Sequence, residues 1–523
     1  MLPRKTDGGI RFSFEGEPGI GTVAVAGTFN SWVGDAAPLE RSGKSSWHTT
    51  LHVERGRHHY KFVIDGRDWI LDPANPWVSE DAQNNSCFTI DERGDVFIRS
   101  SDTSATAPAA MHRRAAVESP QWLKDGVIYQ LSVRAFGATF SGVRERLDYL
   151  QELGVDVVWM MPIHPIGIAR RIGRLGDPYA VRDFMAIDPE LGDAAGLRAL
   201  IDDLHARGMR IIFDWTLNRA SCDNPLTETH PDWFSHDADG CINYAVPNRA
   251  YFAGFDFSNR ALRAHLANAM QDWIVGFDID GMRFDDSDIT PLAFLDEIRA
   301  ALVAVRPDIG LISQSCDELH HLAACDLTYD GGAREMVERI AQGRASAADF
   351  RQDSEESRYS FPRGALRMLW LEEKEQGRAY RFFGARLHFA AAAVVLTLDG
   401  VPQLLMGQEF NEPGWRNWTS LFDDFHLDWS AFDDATFKHY QALIALRKQH
   451  PALRHGQVEF VPAGPPHLLA YWRTTPQERI LVAVNLSDHA CAVPGESLSL
   501  LYAQGADCGK GTLGPFACMI AMA

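Results

Sequence analysis

The chain has 523 residues, 46% apolar and 23% charged, with 70 acidic against 50 basic side chains and a formal net charge of −20. That length is too great for one ordinary core, so two to four domains are expected. The acidic surplus repels nucleic acid and anionic membrane surfaces, and no run approaches the roughly eighteen apolar residues of a membrane span, so neither partner is expected.

Met1-Leu2-Pro3-Arg4-Lys5-Thr6-Asp7 leads into strand-like sequence without the apolar core of a signal peptide. The eight cysteines (Cys87, Cys222, Cys241, Cys316, Cys325, Cys491, Cys508 and Cys518) are sparse and have no CxxC spacing. A cytoplasmic protein with reduced thiols is the expectation.

Residues 10–98 read as short strands. Val23-Ala24-Val25-Ala26-Gly27-Thr28-Phe29-Asn30 and His59-Tyr60-Lys61-Phe62-Val63-Ile64 are alternating or β-rich, and Asp65-Gly66 is a turn signal. This gives an all-β unit over residues 1–98. Residues 99–119 are small, polar and unpatterned, and read as a linker.

From Trp122 the pattern changes. Short apolar runs at 127–133, 155–161, 210–215, 279–285, 310–316, 366–371 and 400–406 are candidate parallel strands. Amphipathic stretches such as 194–207 and 261–277 are candidate helices. The alternation predicts a barrel of eight β/α units over residues 120–452, with a short excursion at about 216–258. From residue 453 strands return without helices, as in Leu468–Trp472 and Ile480–Val484, and predict a small terminal sandwich over 453–523. The expected fold class is therefore α/β: a (β/α)8 TIM barrel flanked by an N-terminal β-sandwich module and a C-terminal β-sandwich.

Three motifs in the barrel region carry a resemblance. Gly154-Val155-Asp156-Val157-Val158-Trp159-Met160-Met161-Pro162-Ile163-His164-Pro165, Gly176-Asp177-Pro178-Tyr179-Ala180-Val181-Arg182-Asp183-Phe184 and Gly400-Val401-Pro402-Gln403-Leu404-Leu405-Met406-Gly407-Gln408-Glu409 occur in one order. The chain resembles glycoside hydrolase family 13, the α-amylase family, over almost its whole length. The resemblance implies chemistry by two carboxyl groups roughly 5 Å apart, a nucleophile and an acid/base. It makes Asp285, at the end of Asp280-Gly281-Met282-Arg283-Phe284-Asp285, the nucleophile. Arg283, two residues earlier on the same strand face, would hold it ionised. Tyr179 matches the aromatic that stacks on the sugar ring.

Other positions depart from the family. Its acid/base glutamate is matched by Gln314, whose amide cannot donate a proton as a carboxylic acid does. Its Asn-His-Asp triplet is matched by Glu373, Lys374 and Glu375, followed by Arg378; the resemblance makes Glu375 a catalytic position and Glu373, Lys374 and Arg378 substrate contacts. In Phe213-Asp214-Trp215-Thr216-Leu217-Asn218-Arg219 its histidine is replaced by Arg219. Asn218, which often helps hold calcium in the family, admits that ion here, although one oxygen ligand is not a site; no metal ligand set is assigned. Arg170, Arg171 and Arg174 are expected to add charge to the pocket, and Asp317, Glu318 and Glu372 are candidate surrogate acids.

Two readings of these cations stay open. They plug the sugar subsite by pairing with acids, or they receive an anionic ligand. The expected function is an α-amylase-family protein acting on α-glucan or a related α-glucoside through Asp285, with hydrolysis impaired or altered. The alternatives are a non-catalytic glucan-binding protein and an enzyme for a charged sugar such as a sugar phosphate. Whether the protein is an enzyme, and whether it forms a homo-oligomer, stay open.

The N-terminal unit carries Gly27-Thr28-Phe29-Asn30-Ser31-Trp32, Tyr60-Lys61-Phe62-Val63-Ile64-Asp65-Gly66, Trp69 and Asp72-Pro73. It resembles carbohydrate-binding module family 48. That resemblance implies a glucan platform of Trp32, Lys61, Trp69 and Asn84 or Asn85, in which indoles stack on pyranose faces and polar groups fix hydroxyls.

Overall fold

The computed structural model describes every residue except 1, 17–18, 55, 76, 80–84, 91–93, 99–110, 112–113, 247, 463, 494–497 and 506–510. Its centre is a closed barrel of eight parallel strands: β1 (Ile128–Leu131), β2 (Val157–Met160), β3 (Arg210–Thr216), β4 (Gly281–Asp285), β5 (Gly310–Ser313), β6 (Leu327–Asp330), β7 (Leu366–Trp370) and β8 (Val401–Leu405). These strands are apolar almost throughout because both faces are covered. Ile128, Val157, Trp159, Ile212, Ile312, Leu327, Met368 and Val401 fill the inside. Alternate residues such as Tyr129, Val158, Met160, Ile211 and Phe213 pack outward against the helices.

The sequence pattern marks seven of these strands and misses β6. It is only four residues long, it ends in the half-buried pair Tyr329-Asp330, and it follows Asp326 directly. Asp326 is itself used: its carboxylate accepts the Leu311 N–H at 2.7 Å.

Between β3 and the helix Arg260–Phe277 the chain makes an antiparallel ribbon, Arg219–Ser221 against Phe252–Gly254. Arg219 stands opposite Gly254 on it, so the ribbon rather than a free loop fixes its direction.

The N-terminal module has two facing sheets. Arg4–Thr6, Gly9–Glu15, Ser46–Leu51 and Glu40–Arg41 form one. Val23–Gly27, Gly56–Ile64, Ser86–Ile90 and Val96–Phe97, with Asp68–Ile70 on Gly56–Ile64, form the other. Phe12, Phe14, Val25, Trp47, Tyr60, Phe62 and Phe88 fill the space between them. The Asp65-Gly66 turn has φ of 49° and 68°, the left-handed pair that a type I′ hairpin needs.

The module docks on the barrel through Arg57. Its guanidinium lies 3.6 Å from Asp317 and 3.1 Å from Glu318, and stacks 4.6 Å from the Trp77 ring centroid. Of the expected linker, 99–110 and 112–113 lie outside the described residues. The following stretch is tied down by Ala116 N–H to Arg363 O and Val117 N–H to His321 O. The C-terminal unit is a five-stranded antiparallel sheet with a two-stranded ribbon, Cys491–Ala492 with Thr512–Leu513. Among the described residues no helix is long and apolar enough to cross a membrane, and no disulfide joins the described cysteines. Cys508 lies outside the described residues.

Candidate functional site

The carboxyl-terminal ends of β3, β4, β5 and β7 converge on Asp285, where enzymes of this architecture build their active sites. Asp285 is 1% exposed, and both its oxygens are taken. Oδ1 lies 2.6 Å from Arg283 Nη1 and 3.3 Å from Lys374 Nζ, and Oδ2 lies 2.6 Å from Arg219 Nη2. Burial alone would push its carboxyl up, but Lys374, Arg283 and Arg219 more than offset this and hold it well below the usual carboxylate range.

Each cation is itself engaged. Arg283 bridges Asp285 and Asp214, the latter at 2.8 Å, and donates to the Tyr329 hydroxyl. Arg219 donates to Asp286 at 2.7 Å and to Asn218 Oδ1 at 2.8 Å, with its guanidinium 4.4 Å from the Phe252 ring centroid. Lys374 donates to Glu375 at 2.6 Å.

Lys374 also lies 4.6 Å from the Tyr179 ring centroid. The tyrosine hydroxyl donates to Asp214 at 2.9 Å and the residue is 3% exposed. The aromatic expected to stack on a sugar is thus covered by an ammonium group and tied to a barrel carboxylate. Asn218 does not fit a calcium ion: its amide N–H groups serve the Asp285 and Asp286 carbonyls, and its oxygen faces the Arg219 guanidinium, which repels a cation. Among the described residues no cluster of three His, Cys, Asp or Glu is suited to a metal.

Gln314 follows β5 and is half-buried; its Oε1 accepts the Asp286 N–H at 3.0 Å. The amide therefore supports the backbone turn after Asp285. The candidate surrogate acids are elsewhere engaged. Asp317 and Glu318 face Arg57 of the module. Glu372 is buried against Arg378 at 2.7 Å. Arg378, proposed from sequence as a substrate contact, is 1% exposed and clamped between Glu372 and Glu412, both at 2.7 Å. Glu373 is also buried; its Oε2 accepts the Glu375 N–H, its Oε1 has no partner, and burial pushes it up to about 7. Glu375 is exposed.

The three loop arginines do not charge the pocket as expected. Arg170 and Arg171 donate to the carbonyls of Ala250, Gly167 and Ile166, and Arg174 pairs with Asp424. Backbone acceptors, local for Arg171 and 80 positions away for Arg170, and the Asp424 carboxylate capture them first.

On the module, Trp32, Lys61 and Trp69 of the expected platform lie on one sheet face, without the expected asparagine among the described residues. Lys61 pairs with Ala26 and Val63 with Trp69, so these residues share one sheet face by the two-residue period. Trp32 packs on Ala24, Ala26 and Val63 of that face. Trp32 and Trp69 have ring centroids 6.4 Å apart and planes inclined by 35°, and Trp69 is 41% exposed. Asn30 builds the turn that presents Trp32: it accepts the Gly27 N–H at 2.8 Å and donates to Val25 O at 3.0 Å. Trp32 sits at φ 61°, a left-handed conformation that a bulky side chain rarely takes and that clusters at ligand sites. Gly34 lies under Trp69; a Cβ there would meet the indole Cζ2 at 3.0 Å. Asn84 lies outside the described residues. Asn85 is buried, with its N–H on the Ser79 hydroxyl.

The comparisons agree with this division. Residues 120–253 match the α-amylase catalytic-domain family, and residues 10–93 match the glycogen recognition site of AMP-activated protein kinase. Alpha-amylase MalA of Haloarcula japonica is 27% identical over 416 residues, which cover 75% of this chain and 59% of that protein. An alpha-1,4-glucan:maltose-1-phosphate maltosyltransferase of Cereibacter sphaeroides is 28% identical over 389 residues, covering 67% of this chain and 56% of its own. The chain thus spans less than two thirds of these two relatives. Among solved structures, the maltogenic alpha-amylase AmyB from Thermotoga neapolitana superposes with a TM-score of 0.69 at 26% identity, covering 77% of this chain and 99% of that one.

Proposed function

We propose that this chain, an α-amylase-type barrel joined to a glycogen-recognition-type module, binds α-glucan and does not cleave it. The observation that carries the reading is the closed ion cluster on Asp285. Retaining cleavage needs a carboxylate free to attack the anomeric carbon and an acid on the leaving oxygen. Here both oxygens of Asp285 are held by Arg219, Arg283 and Lys374. An amide stands where the acid would be, and general acid catalysis is worth about 10²–10⁴ in rate.

The same cluster argues against a charged-sugar enzyme. The relative from Cereibacter sphaeroides is named for maltose 1-phosphate. A phosphate here would have to take Arg219 from Asp285 and Asp286, or Lys374 from Asp285 and Glu375. Breaking a buried pair costs several kcal/mol per ion, about what the phosphate would gain. What remains for glucan binding on the module is the indole pair of exposed Trp69 and half-buried Trp32, with Lys61 on the same face, whose chemistry suits neutral pyranose faces.

The test uses the full chain with glycogen and with α-glucosyl fluoride, a donor whose leaving group needs no acid. Glycogen should co-sediment with the protein, and Trp32→Ala or Trp69→Ala should abolish this. No fluoride should be released above the buffer rate. Turnover of the fluoride would mean that Asp285 is reachable, and the reading would be wrong.

A further inference from the structure

A cleft of about 730 Å3 is lined by β7, by the helix Ala347–Ser360 and by the strand Gln457–Phe460 of the terminal sheet. Its volume falls within the range of small-ligand sites, roughly 300–1,000 Å3. None of its described lining residues belongs to the cluster on Asp285. Phe350, Phe361, Leu398 and Val458 are buried and give it an apolar floor. Arg358, Arg363 and His455 line the same space from exposed positions, so their polar groups are within a ligand's reach.

The charge here runs against the −20 of the whole chain. Lys124 pairs with Glu118, Arg454 with Asp125 and Arg367 with Asp330, while Arg358 lies 3.8 Å from Asp399. Asp353, the remaining lining carboxylate, stands beside Gly332 at the start of the helix Gly332–Ala341, where the helix dipole favours it. Behind the floor lie two more guanidinium groups, both buried. Arg447 donates to the carbonyls of Leu396, Leu453 and Gly400. Arg473 stands opposite Val458 in the sheet and donates to the Thr397 carbonyl. Among the described residues no carboxylate pairs with Arg363, Arg447 or Arg473. Burial, with Arg473 and Arg454 close by, pushes Arg447 down to about 9. Buried charges without a counter-ion are costly. An anion in the cleft would offset their field without touching them.

We propose that this cleft is a binding site for a small organic phosphate, with the phosphate at Arg358, Arg363 and His455 and the apolar part on Phe361 and Leu398. A phosphate ester carries nearly two charges and three acceptor oxygens, which suits two guanidinium groups and an imidazole. The apolar floor selects an ester over the free ion. The barrel and the terminal sheet both contribute to the site, so a ligand there stabilises their packing through its binding to the folded state alone. The site is independent of the glucan reading.

Calorimetric titration of the full chain at low ionic strength tests this with phenyl phosphate, inorganic phosphate and phenol. Phenyl phosphate should bind at millimolar concentration and raise the unfolding temperature, with an affinity about tenfold or more above either of the other probes. Arg363→Gln and Arg358→Gln alter exposed side chains, so folding is spared. Each should weaken phenyl phosphate by about tenfold. Gln457→Glu, which adds a carboxylate at an exposed position of the cleft, should weaken it too. Absence of phenyl phosphate binding to the wild type would overturn the site. Unchanged affinity in all three variants would put the anion elsewhere and also overturn it. Inorganic phosphate or phenol binding as tightly as phenyl phosphate would overturn the assignment to an organic phosphate.

Discussion

Asp285 faces three cations, and this ratio decides what its replacement does. Asp285→Asn would leave Arg219, Arg283 and Lys374 buried with one carboxylate fewer among them. The cost should be roughly 3–5 kcal/mol, as for other broken buried pairs, read as a lower urea midpoint. In an open catalytic cleft the same change relieves strain and is neutral or stabilising, and that result would contradict the sealed cluster. Gln314→Glu should change hydrolysis of a nitrophenyl α-glucoside by less than about tenfold, because a carboxyl group at 314 does not free Asp285 from its three cations. A larger gain would mean that Lys374 and Arg219 are easily displaced. At this scale the sequence supplies the identities of the cluster but not its closure. Whether Arg219 meets a ligand or Asp285 depends on the ribbon that holds it opposite Gly254, a tertiary fact with no local signal. The same limit explains Arg170, whose acceptor is the Ala250 carbonyl 80 positions away, whereas Arg171 turns back to carbonyls four and five residues earlier.

The barrel strands are legible because two-sided burial makes them nearly continuous apolar runs. β6 escapes for the opposite reason, since half of its four residues are only partly buried. The module's platform is legible because strand alternation converts spacing directly into a shared face. Its docking is not: Arg57 stands at the start of the strand Gly56–Ile64, and its partners lie 260 and 261 positions away in sequence. This contact carries a prediction about coupling between the units. Arg57→Ala would leave Asp317, which is 1% exposed, without its guanidinium, at a cost of roughly 3–5 kcal/mol. Calorimetric unfolding should then develop an early transition from the module ahead of the barrel. A single transition at the unchanged temperature would mean that Arg57 does not couple them.

Over the whole molecule, the net charge of −20 separates the two ligand classes that the sequence leaves open. A neutral glucan held by stacking and hydroxyl contacts should bind with affinities within about twofold of each other at roughly 0.05 and 0.5 M salt, where the Debye length shortens severalfold. A sugar phosphate meeting this surface would vary far more, and strong salt dependence of glycogen affinity would point to an ionic site. The order of sandwich, barrel and terminal sheet is readable from the change of hydrophobic period along the chain, whereas the cleft between the last two units is not, because it exists only once they pack together.

Gly34 has a consequence for how such a molecule could be adjusted. The indole of Trp69 lies 3.0 Å from where a Cβ at 34 would stand, so a side chain there requires the ring to give by a few tenths of an ångström. A methyl group there acts as a wedge, tipping one ring away from its mate while every charge in the barrel keeps its place. The distance between the two indoles could therefore drift over generations, or be tuned at the bench, through one small residue remote from Asp285.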